Sequence, residues 1–210
     1  MGVEIRADSP VRREPPGSER FSRLRDEAAA WCVGRSWRVR VPLLLYLAWI
    51  GVGHLSDPAT TSLFGGVTLG IHELGHLLLF WAGPFLAVAG GSLAQLAAPV
   101  AAALLLLRQR DYFGVSVAAA WLSFSLFGLA AYVGDARAQN LPIVGLTADP
   151  IHDWNYLLGA LGFLEWDRAL SVAMRASAFL VWAGALALGA WLCWKMARGS
   201  GERGERPART

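Results

Sequence analysis

The sequence predicts an all-α polytopic membrane protein with five to six transmembrane helices. Of its 210 residues, 55% are hydrophobic and only 17% are charged, whereas soluble domains carry about a quarter charged residues. The charges crowd into the two ends and a few short connections, and residues 67–107 contain a single one, Glu73. Long uncharged stretches of this kind indicate helices that cross a bilayer.

Hydropathy divides the chain into one transmembrane domain, residues 41–198, between two polar tails. Residues 1–40 contain Pro- and Gly-bearing segments and are predicted to be largely disordered, although 22–32 has helical character suited to a membrane surface. Residues 199–210 form the second tail that is predicted to be disordered.

Five apolar stretches approach the length of about 20 residues that a crossing helix needs. A sixth stretch, 154–163, is too short to cross and is expected to form a half-helix or an interfacial segment. Basic residues flank both the first and the last span, which favours the cytoplasm for both ends and requires an even number of crossings. Five clear spans give an odd number, so the sequence leaves the orientation open. The five spans are 41–55, 63–85, 87–107, 113–133 and 171–194.

The net charge of +3 does not indicate a nucleic-acid partner. The basic residues flank apolar segments, as the positive-inside rule describes. The expected surroundings are the lipid bilayer of the cell membrane, in which the chain is a multi-pass protein, and the expected partner is a membrane protein or peptide substrate. The flanking basic residues are Arg35, Arg38 and Arg40 before the first span, and Lys195, Arg198, Arg203 and Arg206 at the end of the chain.

The second predicted span carries the most informative motif of the chain, His72-Glu73-Leu74-Gly75-His76. On a helix, HExxH places two imidazoles at i and i+4 on one face, where both can bind one Zn²⁺. The Glu73 carboxylate lies beside them and can take a proton from a water molecule that the metal activates. Ionisable groups are costly at membrane depth and usually mark function. A zinc site is therefore favoured over two histidines that merely hydrogen-bond inside a bundle, and Gly75 is expected to let a neighbouring helix approach closely.

A catalytic zinc needs a third protein ligand, and the sequence offers three candidates. Asp153 lies at the start of the short apolar segment, where a carboxylate also suits a helix N-terminus. Asp135 closes the fourth span, where an ion pair with Arg137 is the alternative interpretation. His152 is a chemically suitable third candidate. The remaining histidine, His54, is expected at the membrane interface after the first span.

Gly90 and Gly91, with Pro84 and Pro99 on either side, predict a re-entrant or irregular segment after the HExxH helix. Irregular backbone at membrane depth must be buried in protein or line a wet cavity, where it can pair with an extended substrate. Gly90, Gly91 and Gln95 are therefore candidate substrate-binding residues, with Gln95 as a side-chain donor to the substrate or to an oxyanion. A simple turn between two spans is the alternative.

With HExxH in one span and Gly-Gly directly after it, the chain resembles the site-2 protease family of intramembrane zinc metallopeptidases. The resemblance implies that His72 and His76 bind Zn²⁺ together with an aspartate from a later helix, and that Glu73 is the general base. In that family the aspartate usually lies in an Asn-x-x-Pro…Leu-Asp-Gly pattern. Here Asn140-Leu141-Pro142-Ile143 resembles a fragment of the pattern, and no Leu-Asp-Gly follows. The resemblance covers the minimal membrane core, since no PDZ or CBS module fits in the remaining residues.

The predicted function is that of an intramembrane zinc metalloprotease, which hydrolyses a peptide bond in a membrane-embedded or membrane-proximal substrate. The alternative is a catalytically inactive protease-like membrane protein that binds partners or substrates, and the missing Leu-Asp-Gly favours it. A di-iron lipid oxygenase is excluded because four histidines, of which only two are clustered, are too few.

Overall fold

The computed structural model describes residues 16–57, 60–142 and 151–204, and within these ranges the chain is helical, without strands. Short 3-10 turns at Phe80–Ala82 and Leu164–Trp166 precede α4 and α7. The helices are α1 Pro16–Trp31, α2 Val41–Ser56, α3 Gly65–Leu79, α4 Pro84–Arg108, α5 Tyr112–Gly134, α6 Asp153–Leu161 and α7 Asp167–Gly204.

Three helices, α4, α5 and α7, are long and apolar enough to cross a membrane, and α2 is a shorter apolar helix. Large apolar side chains on these helices face outward, and Leu45, Trp49 and Leu180 are all at least 65% exposed. Apolar surface of this extent needs a cover, which is consistent with a membrane protein. Within the described residues, three helices are therefore long enough to cross a membrane, and the five to six spans that the sequence predicted are not confirmed.

The predicted tails are partly ordered. Residues 1–15 and 205–210 lie outside the part of the chain that the structure describes. Residues 16–31, which fall in the N-terminal segment predicted to be largely disordered, form α1, and the C-terminal helix α7 continues to Gly204, beyond the predicted boundary at 199. An additional helix, α1, therefore precedes the predicted transmembrane domain.

The second predicted span, 63–85, is divided in the structure. α3 ends at Leu79, and Gly83, whose φ of 96° favours glycine, separates the following turn from α4. The start of α3 lies beside the first half of α2. The backbone N–H of Leu63, two residues before α3, donates to the hydroxyl of Tyr46 in α2 at 2.8 Å. A helix of 15 residues is about 22 Å long, so α3 spans only part of the bundle.

α4 is continuous over Pro84–Arg108, so the prediction of irregular or re-entrant backbone at Gly90 and Gly91 is wrong. Pro99 lies inside the helix without ending it. The glycines serve close packing instead: a Cβ at Gly75 would clash with the carbonyl oxygen of Gly90, and a Cβ at Gly90 would clash with the carbonyl oxygen of Gly75. Small residues let two membrane helices approach closely, which fixes the HExxH helix against α4.

α5 packs along α7, and α2 lies against both. Trp182 of α7 lies against Gly51 of α2, and its Nε1 donates to the carbonyl oxygen of Leu47 at 3.1 Å. The polar end of this buried indole is therefore satisfied, as an apolar environment requires. The main core consists of Leu47, Ile50, Ala120, Phe124, Phe127, Ala178, Trp182 and Ala185.

Both polar segments of the chain meet at one end of the bundle, which we call the basic end. Cys32, after α1, contacts the carbonyl oxygen of Leu192 at 3.6 Å, and the Tyr112 hydroxyl donates to Glu27 at 3.1 Å. Arg40, before α2, lies over the Phe113 ring. This end gathers the last turns of α1 and α4, the first turns of α2 and α5, and the part of α7 around residues 188–198. It therefore also gathers Arg35, Arg38, Arg40, Arg108, Arg110, Lys195 and Arg198.

Candidate metal centre

His72 and His76 lie one turn apart on the same face of α3, with ring centroids 4.7 Å apart. His72 is buried and His76 is half-buried. The arrangement follows from the helix itself, because residues four apart lie one above the other. The structure thus brings together the two imidazoles that the motif predicts.

Each imidazole is held through Nδ1 by a carbonyl-type oxygen. Nδ1 of His72 lies 3.0 Å from Oε1 of Gln95, whose amide nitrogen donates to the Ser125 carbonyl at 3.1 Å and so sets the orientation of the amide. Nδ1 of His76 lies 2.9 Å from the carbonyl oxygen of Ala87. A carbonyl oxygen only accepts, so Nδ1 donates in both rings, and Nε2 is the ring nitrogen that is available to a metal ion. Partners of this kind orient histidines that bind metals.

The two Nε2 atoms face the same carboxylate oxygen. Oδ2 of Asp153 lies 2.9 Å from Nε2 of His72 and 3.3 Å from Nε2 of His76. A tetrahedral zinc with ligand distances of about 2.0–2.1 Å separates its ligand atoms by about 3.3 Å. The three atoms therefore lie close to the spacing of a zinc ligand set, although Asp153 follows His72 by 81 residues.

Gly91 keeps the space in front of the two imidazoles open. A Cβ at this position would lie 2.5 Å from Nε2 of His76 and 2.6 Å from Nε2 of His72. Any side chain would thus occupy the place where the ligand atoms converge. The absence of a side chain fits a metal ion at this point, and Gly91 acts here through its small size rather than through irregular backbone.

Glu73 completes the cluster. Its carboxylate and one nitrogen of each histidine lie within 4.8 Å of one another, and Glu73 is half-buried. Because Asp153 already faces both Nε2 atoms, the Glu73 carboxylate is not needed as the third ligand. A carboxylate beside a metal site is suited to general-base work.

A cavity of about 600 Å³ lies along α3, and His72, Glu73, His76 and Asp153 all line it. Its walls are mostly apolar. Three wall residues are also exposed on the outer surface, Leu69 at 42%, Leu77 at 59% and Phe80 at 78%. The cavity therefore opens on the apolar side of the bundle.

His54 contributes to this cavity, which the sequence did not indicate. It is 4% exposed and stacked on Phe124 and Phe127. Its Nε2 and the Oγ of Ser125, which lines the same cavity, have no hydrogen-bond partner among the described residues. One histidine without a second at helical spacing gives no sequence signal, so only the structure identifies it.

The other two candidate ligands, Asp135 and His152, face each other. Nε2 of His152 lies 3.5 Å from Oδ2 of Asp135, and the Asp135 carboxylate accepts hydrogen bonds from the backbone N–H groups of 140–141 at 3.0 and 2.9 Å. Arg137 does not pair with Asp135 as the alternative interpretation proposed. It makes two hydrogen bonds with Asp167, at 2.7 and 2.8 Å.

Comparisons of this chain with protein-family models, with curated proteins and with solved structures returned no match. The resemblance to site-2 proteases therefore stays an expectation from the sequence motif at 72–76 and the Gly-Gly pair that follows it.

Proposed function

We propose that this protein is a membrane-embedded zinc metallopeptidase of the site-2 protease kind, with His72, His76 and Asp153 as ligands and Glu73 as general base. One observation carries the proposal: the two Nε2 atoms and one carboxylate oxygen converge, while both Nδ1 atoms face acceptors elsewhere. Such a group of ligand atoms is favourable around a cation. Three protein ligands with a fourth position open are typical of catalytic zinc.

The chemistry divides between the metal and the chain. Bound Zn²⁺ supplies Lewis-acid polarisation of the scissile carbonyl and a water molecule of lowered pKa. Glu73 accepts a proton from the attacking water and delivers it to the leaving amine nitrogen as the C–N bond breaks. Gln95 and the Ala87 carbonyl hold the imidazoles in the tautomer that leaves Nε2 free, and the apolar walls exclude bulk water.

The position of the cavity supports a membrane-embedded peptide as the substrate. Its opening beside Leu77 and Phe80 lies on the apolar surface, so an apolar segment enters from lipid without crossing a polar layer. A segment unwound for cleavage exposes backbone N–H and C=O groups, and each unsatisfied group costs several kcal/mol in lipid.

The charges support an orientation with the basic end in the cytoplasm, as the positive-inside rule describes. α2, α4, α5 and α7 then make four crossings, an even number that satisfies both basic ends of the chain. Gly91 lies seven residues after Pro84, the first residue of α4, and so about 10 Å along the axis from the opposite end. The metal centre therefore belongs to the half of the membrane away from the basic end.

Zinc content and cleavage, measured together on the purified full chain, test the proposal. In proteoliposomes that contain model single-span peptides, Glu73→Gln should retain zinc and lose cleavage, whereas His72→Ala and Asp153→Ala should lose zinc. Glu165→Gln, on an exposed glutamate outside the cavity, is the matched control and should cleave normally. Wild-type protein without zinc, or normal turnover by Glu73→Gln, would refute the proposal. Zinc without cleavage of any peptide would favour an inactive binding protein.

A further inference from the structure

We propose that Asp135 and His152 act as positioning residues that fix the Asp153 carboxylate and thereby set the affinity for zinc. The inference rests on the proposed zinc site. Asp153 is the first residue of α6, which has only nine residues. A helix of this length is not stable by itself in isolation. The direction of the carboxylate must therefore come from contacts made by its neighbours.

Residues 153–155 are tied to α4 and to the end of α5. Three hydrogen bonds do this, and each uses a donor from a different residue, so the first turn of α6 has little freedom to rotate. The bonds run from the backbone N–H of Asp153 to the Tyr132 hydroxyl at 3.0 Å, from Nε1 of Trp154 to Oγ of Ser92 at 3.2 Å, and from Nδ2 of Asn155 to the carbonyl oxygen of Ala136 at 2.8 Å.

His152 joins this turn to Asp135. It is the N-cap of α6, where its Nδ1 accepts from the backbone N–H of Asn155 at 3.2 Å, so the ring proton is on Nε2. That N–H is fully buried, has no hydrogen bond within the described residues and lies 3.5 Å from Oδ2 of Asp135. The ring is also stacked on Tyr132, with centroids 4.2 Å apart. The facing carboxylate is thus the natural partner of the orphaned N–H.

Asp135 is itself held in place. It lies at the C-cap of α5, it is 9% exposed, and its two oxygens accept from the backbone N–H groups of 140–141. A continuous buried path therefore leads from α5 through Asp135 and His152 to Asp153. Because zinc sites tolerate distance errors of only about 0.2 Å, a small shift at Asp135 changes how well Asp153 binds the metal.

The test measures Zn²⁺ binding by the full chain in detergent, in competition with a chromophoric chelator. Asparagine at position 152 still caps the helix but has no N–H aimed at Asp135, so His152→Asn separates the link from the cap. We expect Asp135→Asn and His152→Asn each to raise the Kd for zinc about 10–100-fold, as for other outer partners of metal ligands. The Kd of the double variant should lie within about threefold of the Kd of either single variant, because both substitutions remove the same contact between Asp135 and His152. The visible spectrum of bound Co²⁺ should change in the same variants.

Asp167→Asn is the control for a general loss of stability. It weakens the ion pair between the buried Asp167 and the exposed Arg137 at the same end of the bundle, so it should lower the thermal midpoint and leave the Kd unchanged. Two results would overturn the positioning role and leave the proposed function intact. One is a wild-type Kd in both single variants, and the other is a double variant whose increase in Kd is the product of the two single increases. Wild-type protein that binds no zinc would overturn the proposed function, and the inference with it.

Discussion

Replacement of Gly91 by alanine tests the metal centre with a single methyl group. The added Cβ would lie 2.5 and 2.6 Å from the Nε2 atoms of His76 and His72, whereas such contacts relax at about 3.5 Å. The imidazoles must therefore retreat by about 1 Å, which exceeds the tolerance of about 0.2 Å for zinc ligands. Overpacking costs about 1–3 kcal/mol. If this cost reduces the free energy of zinc binding by the same amount, the Kd for zinc rises about 5–150-fold, because about 1.4 kcal/mol corresponds to a tenfold change.

The imidazoles are the ends of flexible side chains, so they can rotate away while α3 and α4 stay in place. We therefore expect the metal-free Gly91→Ala protein to keep its helix content and its thermal midpoint, and to differ from wild type in a zinc competition titration. Gly184→Ala is the matched control, because nothing lies within 4 Å of a Cβ there. It should leave the Kd unchanged and stabilise the helix by about 0.4–1 kcal/mol.

A folded Gly91→Ala protein with wild-type zinc affinity would refute the reasoning, since a metal held by both Nε2 atoms cannot share that space with a methyl group. Loss of the fold before loss of zinc would contradict the expectation that the side chains move first.

Two further substitutions separate packing from chemistry. Gly75→Ala sets a methyl group against the carbonyl oxygen of Gly90, a backbone atom that cannot rotate away, so the free energy of unfolding should fall by about 1–3 kcal/mol; an unchanged denaturation midpoint would contradict this. His54→Phe keeps a ring between Phe124 and Phe127 and removes a buried nitrogen that has no partner among the described residues, so the protein should become about 1–3 kcal/mol more stable. A loss of stability in that variant would show that the nitrogen is already satisfied.

The HExxH half of the site is predictable because its geometry is local. His72 and His76 are four residues apart, and the helix alone brings their rings to one face. Gly75 is predictable for a similar reason, since a small residue on the face of a membrane helix serves close approach of a neighbour. The motif contains everything that these inferences need.

The third ligand is not predictable in this way. Asp153, Asp135 and His152 all have suitable chemistry and all follow the fourth span, so spacing does not distinguish them. The distinction arises from the docking of α6, which turns Asp153 to the imidazoles and His152 to Asp135. These contacts join residues that are distant in sequence, and Tyr132 and Ser92 take part in them without belonging to any motif.

Gly90 and Gly91 mislead a reading of the sequence because glycine has two opposite uses. It weakens a helix by about 1 kcal/mol relative to alanine, which suggests irregular backbone, and it also permits close helix packing. Here the approach of α3 to α4 decides in favour of the helix. Hydropathy also predicts one continuous span at 63–85, where the structure has the separate helix α3. Hydropathy counts apolar residues and carries no information about where beside α2 this helix begins.

Removal of zinc should loosen α6 before any other helix. Without a cation, α6 loses the bond that a metal would make between Asp153 and the imidazoles, and only direct contacts of 2.9 and 3.3 Å between the Asp153 carboxylate and the two Nε2 atoms remain. α3 is fixed to α4 through Gly75 and Gly90, whereas α6 has nine residues and depends on a few hydrogen bonds. The element with the smaller number of contacts should move.

Hydrogen exchange measures this directly. Chelation should increase exchange at 153–161 and leave α5 protected, because α5 is buried between α4 and α7. At a free zinc concentration of about 100 times the Kd, the metal contributes about 2.7 kcal/mol to stability, so the thermal midpoint should rise on addition of zinc, and much less so in Asp153→Asn. Unchanged exchange at 153–161 after verified loss of zinc would mean that Asp153 is held by its neighbours alone. The carboxylate would then be preorganised for the metal rather than dependent on it, and the contacts of His152 and Tyr132 would account for its position in full.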